Sequence, residues 1–177
     1  RFYQNAELIF ENARVPHANV VGGVGTGSVK AGKGDTTGGD IFGDLELAAN
    51  ALGVCDDACQ LSMSFAKTHK RAGKYLMEHQ LIQLKLNEMY ALTEALRSYV
   101  MRVAWQHDHK EHSANAGLVM NWSTDVIQRV TRLNMEIHGA EGCMMVARVD
   151  KLVRDAMVWT HLAGDTVQRI KILKRIK

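Results

Sequence analysis

The chain of 177 residues contains a single proline, Pro16, and that placement constrains the fold more than any other feature. Proline removes a backbone donor and clashes with the preceding helical turn. Everything beyond Pro16 is therefore open to long, uninterrupted helices, and the apolar residues recur there at the matching period. Ile82, Leu86, Met89, Leu96, Val100 and Val103 follow at helical spacing, with Thr93 in the one polar slot. Val119, Trp122, Val126, Val130, Leu133 and Ile137 keep the same rhythm. Each stripe is one buried face of a 3.6-residue repeat.

The pattern predicts helices over about 45–69, 76–106, a third through Val119 and Ile137, a fourth over about 146–159 and a fifth from about Thr166. Long helices joined by short turns pack as antiparallel neighbours. The expected fold is all-α, an antiparallel four-helix-type bundle. Met89, Met120, Met135, Met144, Met145 and the tryptophans on these faces are expected as core filler, since methionine packs irregular gaps.

Ahead of the bundle, Glu7–Val15 is rich in strand formers and reads as a short β-strand ended by Pro16. Eight of the fifteen glycines then fall between Gly22 and Asp40, a connector or ordered loop. The expected division is 1–21, 22–41 and 42–177. The opening Arg1-Phe2-Tyr3-Gln4 reads as the interior of a longer protein.

Composition narrows the function classes. Hydrophobic residues at 46% and charged residues at 23% describe an ordinary globular domain, not a disordered one. A net charge of +3 is too small to point to nucleic acid, and Lys171, Lys174, Arg175 and Lys177 read as one solvated helix face. No apolar run reaches the length of a membrane span, and the opening residues do not read as a signal peptide. Three cysteines cannot all pair, so reduced thiols and a cytoplasmic setting are expected.

Three local motifs carry little chemistry. Gly27-Ser-Val-Lys-Ala-Gly32-Lys33-Gly34 resembles a phosphate loop but places Gly34 where a hydroxyl must hold the metal. His107, His109 and His112 lie in a polar run at a helix end, where imidazoles complement the helix dipole, so no metal site is expected. Cys55 and Cys59 sit among Ala, Leu and Val as small hydrophobes.

Five stretches in order carry a family resemblance. Glu7–Gly22 is similar to the exit strand of a middle β-domain, "F-x-x-V-x-VP-x-x-N-V-L-G". Gly73-Lys-Tyr-Leu-Met-Glu-His-Gln80 resembles "FGK-x-x-x-E-x-Q", and Ile137-His-Gly139-Ala-Glu-Gly142 resembles "Q-x-x-GG-x-G". Lys151-Leu-Val-Arg154-Asp155-Ala156 matches "K-L-x-RDA", and Ala163–Arg169 stands where "EGT-x-x-x-QR" is expected. Together they resemble the C-terminal half of the acyl-CoA dehydrogenases, with the last strand of the β-domain ahead of it.

The resemblance implies a flavoprotein that removes a proton from Cα and a hydride from Cβ of an acyl-CoA. Its implied cofactor is FAD, its acceptor an electron-transfer flavoprotein, and its assembly a homo- or hetero-oligomer, dimer or tetramer. The implied FAD contacts are Arg71, Gly73, Gln80, Gly139, Gly142, Thr166 and Gln168. Some positions depart from the family pattern: His69 stands for an arginine, with Arg71 two residues on as its substitute. Ala72 replaces an aromatic residue, and Glu136 a glutamine. Ala163 takes the place of the catalytic glutamate, and Gly43 stands at the alternative position of that base. The implied replacement bases are Asp165 and Asp44. The same departures point to an alternative: a non-catalytic assembly subunit of this fold, or a member with other CoA-thioester chemistry.

Overall fold

The computed structural model describes residues 6–19, 41–109, 111, 115–162, 169, 170 and 172. Four helical segments dominate: α1 (Ile41–Thr68), α2 (Gln80–Asp108), α3 (Asn115–His138) and α4 (Val149–Ala156), with one further turn, α5 (Trp159–Leu162). A two-stranded hairpin, β1 (Lys70–Arg71) and β2 (Lys74–Tyr75), joins α1 to α2.

Cross-helix contacts fix the directions. Asp56 pairs with Arg97, and Cys59 meets Thr93, so α1 and α2 run antiparallel. Glu88 pairs with Arg129 and Lys85 with Glu136, so α2 and α3 are antiparallel too. Ser62 meets Asn134, which makes α1 and α3 parallel neighbours. Arg148 reaches Asp57, while Trp159 donates from its indole to the carbonyl of Leu47 at 3.0 Å. The α4–α5 leg thus runs back along α1 and completes the up-down-up-down bundle.

Helix α3 is the centre. Val119, Met120, Val126, Ile127, Val130 and Leu133 are buried, and so are Ser123, Thr124, Thr131 and Asn134 on its other sides. Thr124 and Thr131 satisfy their hydroxyls on carbonyls one turn back, which lets a polar side chain enter an apolar core. Helix α1 turns a row of small residues inward: Ala48, Ala51, Cys55, Ala58, Cys59, Ser62 and Ala66. Small side chains let two helix axes approach closely. Thr93, the polar slot in the α2 stripe, is buried and donates to the Met89 carbonyl at 2.8 Å.

Several expectations need correction. Glu7–Val15 is not a strand: the segment carries no regular structure, and Leu8, Ile9 and Phe10 are exposed. A strand is held by its neighbour's hydrogen-bond ladder, and among the described residues no strand pairs with it. Met144 and Met145 are not core filler but exposed, in and beside short 3₁₀ turns that follow α3. Trp105 is also exposed and stacks on His109 instead. Helix α2 begins at Gln80 rather than near Leu76, because Leu76–Glu78 forms a separate 3₁₀ turn. The fourth helix is shorter than expected, since the backbone of Arg148 is left-handed (φ 59°) just before α4. The glycine connector, the phosphate-loop-like stretch, His112 and the basic end from Lys171 lie outside the described residues, apart from Ile172. No helix among the described residues is long and apolar enough to cross a membrane.

Candidate functional site

The described site residues expected from sequence fall at two ends of the bundle. Asp44 stands in the first turn of α1, while Arg71 and Gly73 lie just past its last turn. At 1.5 Å per residue that helix separates them by roughly 36 Å.

The second end is built by a tight turn. Lys70 pairs with Tyr75 and Arg71 with Lys74, so Ala72 and Gly73 alone make the loop. Both have positive φ, 50° and 79°. Two left-handed residues in succession define the type I′ turn that matches strand twist. Among the described residues nothing lies within 4 Å of where a Cβ on Gly73 would project. The hairpin is pinned on several sides. His79 Nε2 meets the Arg71 carbonyl at 3.0 Å, and the Tyr75 amide donates to Glu78 at 2.7 Å. The Lys70 ammonium sits 4.4 Å from the centre of the Tyr75 ring.

Gly139 ends α3. Its φ of 58° is the left-handed conformation that closes a helix, and no atom of the described residues lies within 4 Å of a Cβ added there. Gly142 has a different reason: an added Cβ would sit 3.1 Å from both His138 Cβ and the Met135 carbonyl oxygen. Gly139–Cys143 forms a 3₁₀ segment that carries Glu141 toward the hairpin. There Arg71 Nη2 donates to Glu141 Oε1 at 3.2 Å, and His69 Nε2 lies 3.6 Å from Glu141 Oε2. Arg71, Gly73, Gly139 and Gly142 are therefore gathered at one end of the bundle.

An aromatic layer underlies them. Phe65 stacks on His69 (centroids 3.7 Å, 19°) and packs against His138 (4.2 Å, 32°). His138 is buried, and its Nδ1 meets the Asn134 carbonyl at 2.8 Å. Burial holds its pKa below the ordinary imidazole value, although the Asn134 bond and nearby Glu141 pull the other way. Gln80 opens α2 at this end, where with Gln83, Leu84 and Asn87 it lines an open hollow of about 630 Å³.

One departure read from sequence changes meaning here. Glu136 does not face Arg71; it is paired with Lys85 at 2.9 Å. The carboxylate that does meet the cation is Glu141, which sequence reasoning passed over. Nothing in the local sequence marks it, because its partner lies seventy residues away.

At the first end, Asp44 is half-buried, and its Oδ2 lies 3.6 Å from where a Cβ on Gly117 would be. Ile172 fills that space: its Cδ1 would be 2.7 Å from the same Cβ. Arg169 pins this region with two bonds to Asp125, 2.9 and 2.8 Å. Ala163, Asp165, Thr166 and Gln168 lie outside the described residues.

Residues 43–177 match the family model for the acyl-CoA dehydrogenase C-terminal domain. The chain belongs to the acyl-CoA dehydrogenase family. An acyl-CoA dehydrogenase of Bacillus subtilis is 31% identical over 170 residues, 95% of this chain and 44% of that protein. A caffeyl-CoA reductase-Etf complex subunit of Acetobacterium woodii is 27% identical over 169 residues, 94% of this chain and 43% of the relative. Butyryl-CoA dehydrogenase from Megasphaera elsdenii superposes with a TM-score of 0.68 at 26% identity, over 74% of this chain and 34% of that one. The chain thus spans less than half the length of the acyl-CoA dehydrogenase family members it matches.

The residues gathered at the hairpin suit the family's flavin nucleotide in one respect. A pyrophosphate needs a cation and accessible backbone, and Arg71 beside the open turns at Gly73 and Gly139 supplies both.

Proposed function

We propose that this chain is the C-terminal bundle of an acyl-CoA dehydrogenase-like flavoprotein that oxidises an acyl-CoA thioester between Cα and Cβ. The observation that carries the reading is the meeting of Arg71 with the Gly139–Gly142 turn across Glu141, which joins two separate family motifs into one surface. In this reading residues 1–21 are the end of a middle β-domain, 22–41 connect, and 42–177 form the bundle.

FAD, when bound, supplies the acceptor for the hydride that leaves Cβ. Arg71 and the backbone at Gly73 and Gly139 would hold its pyrophosphate, and Gly142 shapes that turn. Gln80, Thr166 and Gln168 complete the contacts. The proton at Cα goes to a carboxylate, Asp165 or Asp44; because α1 holds Asp44 roughly 36 Å from the Arg71 turn, the pyrophosphate contacts come from a neighbouring subunit of the assembly. An electron-transfer flavoprotein takes the electrons, in keeping with the Etf complex named for the Acetobacterium relative. The assembly is a dimer or tetramer, and the setting is cytoplasmic.

Ala163 at the position of the usual glutamate favours a second reading. In it the bundle is a non-catalytic assembly subunit, or serves another reaction on a CoA thioester.

The deciding experiment is a visible absorption spectrum of the full native assembly, titrated with short and aromatic acyl-CoAs. Flavin absorbance that bleaches on adding thioester is the expected result. A general base contributes about 10²–10⁴-fold, so Asp165→Asn or Asp44→Asn should slow bleaching by that factor. An assembly without flavin would overturn the reading and leave the structural subunit.

A further inference from the structure

The hairpin end holds an uneven set of charges. Two side chains able to carry positive charge, Arg71 and His69, both point at one carboxylate, Glu141, at 3.2 and 3.6 Å. All three are substantially exposed; the Arg71 side chain keeps 68% of its surface. The backbone beneath Arg71 is fixed by His79, by the β1–β2 pairing and by the I′ turn. His69 is fixed in turn by its stack on Phe65 and by contacts to Thr68 and the Phe65 carbonyl.

Only Glu141 and the tip of Arg71 need to move for another anion to enter. An exposed ion pair of this kind is weak, so the contact yields readily. A phosphate offers more charge and more acceptor oxygens than a carboxylate, and guanidinium binds it bidentately.

We propose that Glu141 is a built-in competitor at this site, occupying Arg71 and His69 until a phosphate-bearing ligand displaces it. The inference rests on the flavoprotein reading in taking the FAD pyrophosphate as that ligand. Glu141 then sets specificity. A single carboxylate on a ligand gains nothing by exchanging with it, whereas a pyrophosphate does. The residue lowers affinity for the correct group while excluding weaker anions, an attractive site with a repulsive element built in.

The test is calorimetric binding of inorganic pyrophosphate to the full protein, its flavin content read by absorbance and bound nucleotide then removed. Wild type, Glu141→Gln and the double variant Arg71→Gln/Glu141→Gln are compared, with folding checked by circular dichroism. Exposed ion pairs are worth up to about 1 kcal/mol, so Glu141→Gln should bind pyrophosphate about three- to fivefold tighter. The double variant should lose that gain. Unchanged or weaker binding in Glu141→Gln would overturn the proposal, as would pyrophosphate binding to none of the three proteins. The flavin spectrum separates the two readings. Flavin present with no effect of Glu141→Gln removes this inference alone. Tighter pyrophosphate binding in a protein without flavin removes the flavin reading alone.

Discussion

The imidazole of His138 packs against the ring of Phe65 with centroids 4.2 Å apart, at the buried end of α3. That burial makes stability depend on pH. Desolvation lowers the folded-state pKa of His138 below the unfolded value of 6.5, and Glu141 and His69 are the titratable neighbours that modulate it. Above 6.5 both states are neutral and nothing is lost. As pH falls through 6.5, the unfolded chain gains a proton that the folded protein refuses, so stability declines toward the folded pKa. The melting midpoint should drop between pH 7.5 and pH 5.5, and His138→Phe, which keeps a ring against Phe65, should drop less. Equal losses in the two proteins would show that other groups carry the acid sensitivity.

The turns give sharper numbers. Ala72 holds φ 50° in a position that favours Asn or Gly. Ala72→Asn should therefore raise unfolding free energy by up to about 1 kcal/mol, and Gly73→Ala lower it by about 1–2 kcal/mol. Gly142→Ala should lower it by about 1–3 kcal/mol for a separate reason, because its Cβ would press the Met135 carbonyl and His138. Urea denaturation of the three variants would decide; a neutral Gly142→Ala would mean that the 3₁₀ turn yields more easily than its packing implies.

A buried amide on α3 depends on one hydroxyl. Ser62 donates to Asn134 Oδ1 at 2.7 Å, and Asn134 Nδ2 has no partner among the described residues. Ser62→Ala would strip the last side-chain bond from a fully buried Asn134. The expected cost is about 1–3 kcal/mol. The double variant Ser62→Ala/Asn134→Leu should recover part of that loss, since replacing both polar partners removes the desolvation penalty. No recovery in equilibrium unfolding would show that Leu does not fit the space.

The three cysteines are free and differ in reach. Burial pushes the thiols of Cys55 and Cys59 above their ordinary range, while Cys143 is exposed in the turn after α3. A thiol reagent should modify one cysteine rapidly in the native protein and the other two only on unfolding. Cys143→Ser should abolish the fast phase. Fast loss of all three would mean that α1 opens readily.

Much of this was written locally. The stripes on α2 and α3, the small inward residues of α1 and the lone Pro16 already specify long helices, because helical burial repeats every three or four residues and needs no distant information. The ordered motifs from Gly73 to Arg169 pointed to the family for the same reason. The strand expected on Glu7–Val15 failed because strand formers hold no strand without a partner ladder. Met144 and Met145 were misplaced because a hydrophobic residue after a helix end obeys no period. What the tertiary structure alone decided is which helix lies at the centre and which charges meet. Buried Ser123, Thr124 and Asn134 look like surface residues in the sequence; only the packing of α3 between its neighbours puts them inside. Glu136 and Glu141 are equally plain carboxylates in the chain, yet Lys85 takes one and Arg71 the other. Pairing across tens of residues is set by where helices end in space, and no local pattern records that.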